Sequence, residues 1–114
     1  MTVVDVHDER VPLRDGTLLA ADVLLARDAG PLPVLLVRTP YSRAAMRLVH
    51  DVVGLARSGW AVVVQDVRGR FDSQGSFVPF DCEVEDGYDT VDWCSRQPWS
   101  DGRVAMTGLS LIHI

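Results

Sequence analysis

The sequence predicts an α/β fold in which an N-terminal antiparallel β-hairpin is followed by parallel strands with crossover helices between them. Three observations predict it: an alternating stretch with a tight turn near Gly16, two short apolar runs at 34–38 and 60–66, and an apolar stripe with helical spacing between those runs. With 114 residues, of which 47% are apolar and 24% charged, the chain is long enough for one small domain core.

The hairpin is predicted from the first 25 residues. Valine and leucine alternate roughly with polar residues between Val3 and Leu13, as they do in a half-buried strand. Residues 14–17, Arg-Asp-Gly-Thr, are typical of a tight turn, and a second apolar stretch follows at 18–25.

The parallel part begins at the first apolar run. Residues 34–38 are a nearly continuous apolar segment of the kind found in strands buried on both faces. From 44 to 57 apolar residues recur at three- and four-residue steps, which predicts a helix that Ser58 and Gly59 end. The run at 60–66 is the next buried strand, so this strand, helix and strand indicate a right-handed parallel crossover.

A second crossover helix is predicted at about 82–96, after a loop rich in Gly, Ser and Asp at 67–80. Asp81 is a candidate N-cap, and Gly87 weakens the helix because glycine costs about 1 kcal/mol relative to alanine. The predicted inward stripe consists of Val84, Tyr88, Val91 and Cys94. Pro98 and the turn Asp101-Gly102 then lead into a strand at 103–107.

Composition argues against several classes of partner. The net charge is −5 and the 11 basic residues are scattered, so the chain lacks the basic stripe that binds nucleic acid. No stretch approaches the roughly 20 apolar residues of a membrane helix, and the acidic N-terminus does not resemble a signal peptide. A small-molecule partner and a cytoplasmic location are therefore expected.

The cysteines and histidines do not predict a metal site or a disulfide. Cys82 and Cys94 fall on the same predicted helix, which places them about 18 Å apart at 1.5 Å per residue, beyond disulfide reach. Two cysteines and three widely spaced histidines match no zinc-binding spacing. We expect free thiols, no metal and no organic cofactor.

The end of the chain carries the strongest catalytic signal. The strand at 103–107 runs into Gly108-Leu109-Ser110, and a strand followed by Gly-x-Ser is how α/β-hydrolases present a nucleophilic serine on a sharp turn. A serine in an ordinary turn is the alternative reading. The second glycine of the hydrolase elbow, which lets the following helix pack on the strand, is missing.

Tyr41 is a candidate oxyanion donor. It follows the first parallel strand, in the loop where hydrolases place a second donor, and a phenolic OH can serve if it lies about 3 Å from the developing alkoxide. The alternative is a tyrosine that packs over the end of the strand.

Other polar residues receive structural interpretations. Asp66 and Arg68, just after the second parallel strand, are read as a loop-stabilising pair. His7, His50 and His113 are not in the chain order of a hydrolase base, so surface positions are predicted for them.

Five blocks of this sequence, in this order, resemble the N-terminal part of the CocE/NonD hydrolases. The blocks are residues 11–16 (VPLRDG), 39–41 (TPY), 65–75 (QDVRGRFDSQG), 86–90 (DGYDT) and 98–104 (PWSDGRV). The resemblance implies that residues 1–114 are the N-terminal part of an α/β-hydrolase domain, with Ser110 in the nucleophile position and Tyr41 as the oxyanion donor. It also implies an acyl-enzyme mechanism on small-molecule esters or X-Pro-type peptides.

The resemblance further implies that a helical cap, the triad aspartate and histidine, and a C-terminal jelly-roll are absent from this chain, which alone is then expected to be inactive. The family's elbow is Gly-x-Ser-Tyr-x-Gly, whereas Leu111 and His113 stand here for the tyrosine and the last glycine. Residues 109–114, LSLIHI, match the translation of a transposase-type library adapter end, so we hypothesise a non-native tail.

Two alternatives to a hydrolase remain open at this point. One is a non-catalytic α/β module with a binding or assembly role, in which the Gly-x-Ser sequence has no chemical function. The other is a fragment that does not fold stably, because its last strand would form a sheet edge without a neighbour.

Overall fold

The computed structural model of the protein describes residues 3–39, 52–66 and 83–107. Five strands run through this part of the chain: β1 (Val4–Pro12), β2 (Leu18–Ala26), β3 (Leu32–Thr39), β4 (Ala61–Asp66) and β5 (Ser100–Thr107). Two helices accompany them, α1 (Val52–Arg57) and α2 (Glu83–Ser95). The strands form one mixed sheet in the order β1-β2-β4-β3-β5, and the predicted α/β class is confirmed.

The predicted N-terminal hairpin is present. β1 and β2 pair antiparallel from Val4 opposite Ala26 to Pro12 opposite Leu18. The turn between them closes with a hydrogen bond of 2.8 Å from the Leu13 N–H to the Thr17 carbonyl oxygen. Gly16 adopts φ 85°, a left-handed conformation that glycine tolerates best, which explains the glycine in this turn.

The parallel part of the sheet is centred on β3. β4 and β5 both pair with β3 in parallel, as the strand-helix-strand pattern predicts. The hairpin joins this part through β4, since β2 pairs antiparallel with β4 and not with β3.

The last strand begins three residues earlier than the predicted strand at 103–107. β5 begins at Ser100, so the Asp101-Gly102 pair predicted as a turn lies inside the strand. A register shift between Leu32 and Val34 on β3 accommodates this segment, and Gly102 has φ 93°, which local pattern alone reads as a turn.

Both predicted crossover helices are found where the chain is described. α1 is the last part of the helix predicted at 44–57, and residues 44–51 lie outside the described residues. α2 agrees with the prediction to within about one residue at each end and continues through Gly87. Neither helix is long and apolar enough to span a lipid bilayer.

The sheet separates two apolar layers. One layer lies on the α2 side and contains the buried residues Val11, Leu13, Leu19, Ala21, Val23, Val34, Leu36, Ala61, Val63 and Cys94. The other lies on the α1 side and contains Leu24, Val37, Val52, Ala56, Val62 and Val64. Every residue of β4 is buried, which confirms the prediction of a strand covered on both faces.

The inward face of α2 differs from the predicted stripe. Tyr88 is 67% exposed, whereas Thr90 and Cys94 are fully buried and Asp86 is nearly so. At 100° per residue Tyr88 lies roughly 120° around the helix from Cys94, too far to share its face. The prediction is wrong for Tyr88 and confirmed for Cys94 and for Val91, which packs against the same layer. It omits Thr90 and Asp86 because they are polar, and an apolar-periodicity argument does not count them as inward residues.

Candidate active site

The carboxyl ends of β3, β4 and β5 meet at one edge of the sheet. Thr39 is paired with Asp66 across β3 and β4, and Val37 is paired with Thr107 across β3 and β5. In open parallel sheets, ligands bind outside the carboxyl ends of the strands, so this edge is the candidate site.

The two residues predicted to carry the chemistry, Tyr41 and Ser110, lie outside the described residues. Their distance along the chain from this edge is nevertheless defined. Tyr41 is four residues beyond Val37 and Ser110 three residues beyond Thr107, and these two residues are paired on neighbouring strands. The topology therefore places side by side the ends of the two strands that precede them in the sequence.

A buried polar cluster lies directly beneath this edge, on the α2 side of the sheet. Gln65 is paired with Arg38 in the register of β3 and β4, one residue before each strand ends. Gln65 Oε1 accepts a hydrogen bond of 2.7 Å from Arg38 Nε and lies 3.1 Å from the Thr90 hydroxyl. That hydroxyl is also 2.8 Å from the Asp86 carbonyl oxygen, so its single hydrogen has two acceptors within reach.

Gly87 lets the helix approach this cluster closely. A Cβ at this position would lie 3.4 Å from Arg38 Nη1 and 3.9 Å from Met106 Cε. A methyl group fits at these distances, but a larger side chain does not fit unless Arg38 or Met106 moves.

Asp66 ends β4 at the same edge and is buried. The proposed pairing of Asp66 with Arg68 stays a prediction, because Arg68 lies outside the described residues. His7 is exposed on β1, at the opposite edge of the sheet from β5, roughly 19 Å away at 4.8 Å per strand. The surface position predicted for His7 is confirmed, and His50 and His113 lie outside the described part.

Cys94 is a free, buried thiol, as predicted. Burial raises its pKa from 9.0 to about 12, so it is protonated at neutral pH and a poor nucleophile. Cys82 is outside the described residues. Across residues 3–39, 52–66 and 83–107, no three His, Cys, Asp or Glu side chains are grouped closely enough to hold a metal ion.

Sequence reasoning missed the polar cluster. Arg38 and Gln65 stand near the ends of otherwise apolar runs that the sequence predicts as buried strands, and nothing in those runs singles them out. A signal did exist, because Asp86, Thr90 and Cys94 recur at four-residue steps and so share one helix face. Two polar residues on the same helix face as a cysteine predict a buried polar contact only when it is known which strand packs against that face.

Comparison with known proteins places the chain in a family. Residues 15–111 match the model of the X-Pro dipeptidyl-peptidase (S15) family. The chain belongs to this family. The resemblance found in the sequence is thereby confirmed, and the matched range includes four of the five blocks in full and reaches Ser110.

Curated and solved relatives agree with this membership. Cocaine esterase from Rhodococcus sp. (strain MB1 Bresler) is 43% identical over 108 residues, which cover 91% of this chain and 19% of the relative. An α-amino acid ester hydrolase structure has a TM-score of 0.76 at 27% identity and covers 90% of this chain and 20% of that one.

A CocE/NonD family hydrolase from Staphylococcus aureus superimposes with a TM-score of 0.78 at 22% identity, covering 93% of this chain and 22% of that one, which shows the shared fold. The chain therefore spans about a fifth of the length of these three relatives.

Proposed function

We propose that the protein to which this S15-family chain belongs is a serine hydrolase that cleaves esters or X-Pro-type peptide bonds through an acyl-enzyme. Ser110 is the nucleophile and Tyr41 supplies the oxyanion-stabilising hydroxyl. The observation that carries the proposal is the parallel pairing of β3 with β5, because it brings the loops after both strands to one edge of the sheet.

The chemistry follows the usual course of acyl transfer. Ser110 Oγ attacks the carbonyl carbon of the substrate while a general base takes its proton, and the carbonyl oxygen becomes an oxyanion. The Tyr41 O–H donates a hydrogen bond to that oxygen. The alcohol or amine leaves with a proton, and water then cleaves the acyl-enzyme, which returns the Ser110 hydroxyl and releases the acid.

The general base is expected to lie outside residues 1–114. His7 is on the far edge of the sheet, and the chain order of α/β-hydrolases puts the base after the nucleophile. This chain alone is therefore expected to be inactive even when it folds.

Ester hydrolysis and X-Pro peptide hydrolysis both fit the family. Cocaine esterase and the α-amino acid ester hydrolase are named for ester substrates, and an archaeal aminopeptidase structure, at 28% identity and a TM-score of 0.75, is named for peptide substrates. These names support a substrate whose acyl carbon carries an alcohol or an amine as the leaving group.

Labelling with a fluorophosphonate tests the nucleophile. The protein that contains this chain should be labelled, and Ser110→Ala should abolish labelling. Tyr41→Phe should lower the labelling rate by about 10²- to 10³-fold, the usual cost of losing one oxyanion donor. If the wild type is not labelled, the chain is a non-catalytic α/β module instead.

The tail hypothesis is tested separately by resequencing the locus. A reading frame that continues x-Ser-Tyr-x-Gly after Gly108 would support a non-native origin for residues 109–114 and keep serine in the nucleophile position, 110. A native stop codon after Ile114 would refute that origin.

A further inference from the structure

The cluster around Gln65 is unusual because it puts polar side chains in the interior of an apolar layer. Gln65 and Thr90 are both fully buried, and the residues that precede Gln65 and Arg38 on the same face of the sheet, Val63 and Leu36, are buried and apolar. Burying an amide without hydrogen bonds costs a few kcal/mol, so such a residue is expected to make a specific contact.

The contacts of Gln65 are concentrated on one atom. Arg38 Nε donates to Oε1 from β3, and the Thr90 hydroxyl faces the same oxygen from α2. The orientation of the amide follows, since the reverse orientation would point its NH₂ group at the Arg38 N–H. Gln65 Nε2 has no hydrogen-bond partner among the described residues. The structural role of Gln65 is therefore that of an acceptor.

This acceptor connects three elements. Gln65 belongs to β4, Arg38 to β3, and Thr90 to α2, and Thr90 is held in turn by the Asp86 carbonyl oxygen. Arg38 is three residues before Tyr41, at the point where β3 leaves the sheet. Whatever holds the Arg38 side chain therefore also holds the end of β3, three residues before Tyr41 in the sequence.

We propose that Gln65 is a positioning residue for this loop: by accepting from Arg38 and Thr90, it holds the end of β3 against α2 so that Tyr41 is kept in place to stabilise the oxyanion. The inference rests on the proposed function, because it assigns Gln65 a role through the oxyanion donor. It deepens that function by extending the active site to a buried layer below the strand ends.

The test compares three variants in the protein that contains this chain. Gln65→Leu removes the acceptor at similar volume. Gln65→Glu keeps an acceptor oxygen toward Arg38 and Thr90 and changes the NH₂ group, which has no partner within the described part of the chain. Val63→Ala, two residues earlier on the same buried face, destabilises the strand without touching the cluster.

The readouts are kcat and KM for p-nitrophenyl acetate, the rate of fluorophosphonate labelling, and Tm. Gln65→Leu should lower kcat and the labelling rate by roughly tenfold or more with KM changed less than about twofold, because misplacement of a catalytic group by about 1 Å costs up to 10²-fold. Gln65→Glu should stay within roughly threefold of wild type, and Val63→Ala should lower Tm with kcat unchanged.

Two results would overturn the proposal: Gln65→Leu with wild-type kcat, or Val63→Ala with a loss of kcat equal to that of Gln65→Leu. If Gln65→Leu does not fold, Thr90→Val decides, since it removes only the hydroxyl that faces Gln65; wild-type kcat in that variant also rejects the proposal.

Failure of the proposed function is recognised independently, because it leaves the wild type unlabelled at Ser110. In that event amide hydrogen exchange tests directly whether Gln65 holds the end of β3. Faster exchange at residues 36–38 in Gln65→Leu than in Val63→Ala supports it, and equal exchange rejects it.

Discussion

The carboxylate of Asp89 on α2 binds Arg14 in the hairpin turn through both its main chain and its side chain. The Arg14 backbone N–H donates to Asp89 Oδ2 at 3.0 Å, and Nη2 donates to Oδ1 at 2.8 Å. The Arg14 guanidinium also lies 5.9 Å from the centre of the Tyr88 ring. Two segments 75 residues apart in sequence are thereby held together.

The Asp89 contact should make stability depend on pH. The hydrogen bonds from the Arg14 side chain and backbone lower the pKa of Asp89 below its usual 3.8. Because the folded-state pKa is depressed, the stabilisation is complete above the unfolded value of about 3.9 and is lost as pH falls through the folded pKa. Urea unfolding should show Asp89→Asn less stable than wild type at pH 7, with the difference shrinking below about pH 4.

Asp28→Asn is the control for this experiment, because Asp28 is an exposed aspartate in a turn and the substitution changes net charge equally. It should cost less stability at pH 7 than Asp89→Asn. Equal losses in the two variants would contradict a specific role for the Arg14 contact.

Two substitutions at Gly87 should distinguish the gain from a better helix-forming residue from the cost of crowding Arg38 and Met106. Gly87→Ala should raise the free energy of unfolding by about 0.5–1 kcal/mol, because alanine favours the helix and its Cβ meets Arg38 Nη1 only at contact distance, 3.4 Å. Gly87→Val should instead destabilise by about 1–3 kcal/mol, since its extra methyl groups would displace Arg38 or Met106. Chemical denaturation measures both, and equal effects of the two variants would show that Arg38 moves freely.

Cys94 should be unreactive in the native protein. In the 114-residue chain with Cys82→Ser, Cys94 is the single thiol, and its pKa of about 12 against the ordinary 9.0 lowers the thiolate fraction at pH 7.5 on the order of a thousandfold. Alkylation by iodoacetamide should be slow in buffer and fast in urea. Equally fast alkylation in buffer would mean that α2 opens readily or is not packed on the sheet.

The edge formed by β5 should promote association of the 114-residue chain when it is purified alone. Among the described strands, β5 pairs only with β3, and Met106 is 53% exposed on it. β1, at the other edge, carries charged residues or histidine at five of its nine positions, which discourages edge pairing. Met106→Lys should therefore reduce association more than Val6→Lys, as measured by analytical ultracentrifugation. The reverse ranking would place the contact at β1.

Local patterns in the sequence were sufficient for most of the secondary structure. The hairpin turn at Gly16, the buried strand β4 and the extent of α2 were predicted correctly, because turn chemistry and residue periodicity act over a few neighbouring residues. Family membership was likewise readable from five short blocks. The roles of Tyr41 and Ser110 remain predictions.

Contacts between distant segments were not accessible in this way. The order of strands, the pairing of Arg14 with Asp89, and the cluster of Arg38, Gln65 and Thr90 depend on which elements pack together after the chain has folded. Thr90 is not counted as an inward residue because periodicity counts apolarity, whereas its buried hydroxyl lies within hydrogen-bond reach of the Asp86 carbonyl oxygen in the helix and of Gln65 on the sheet. Gln65 is 25 residues from Thr90 in sequence, so this contact forms only when α2 packs on the sheet. The inward face of α2 is therefore decided by tertiary packing and not by the composition of the helix.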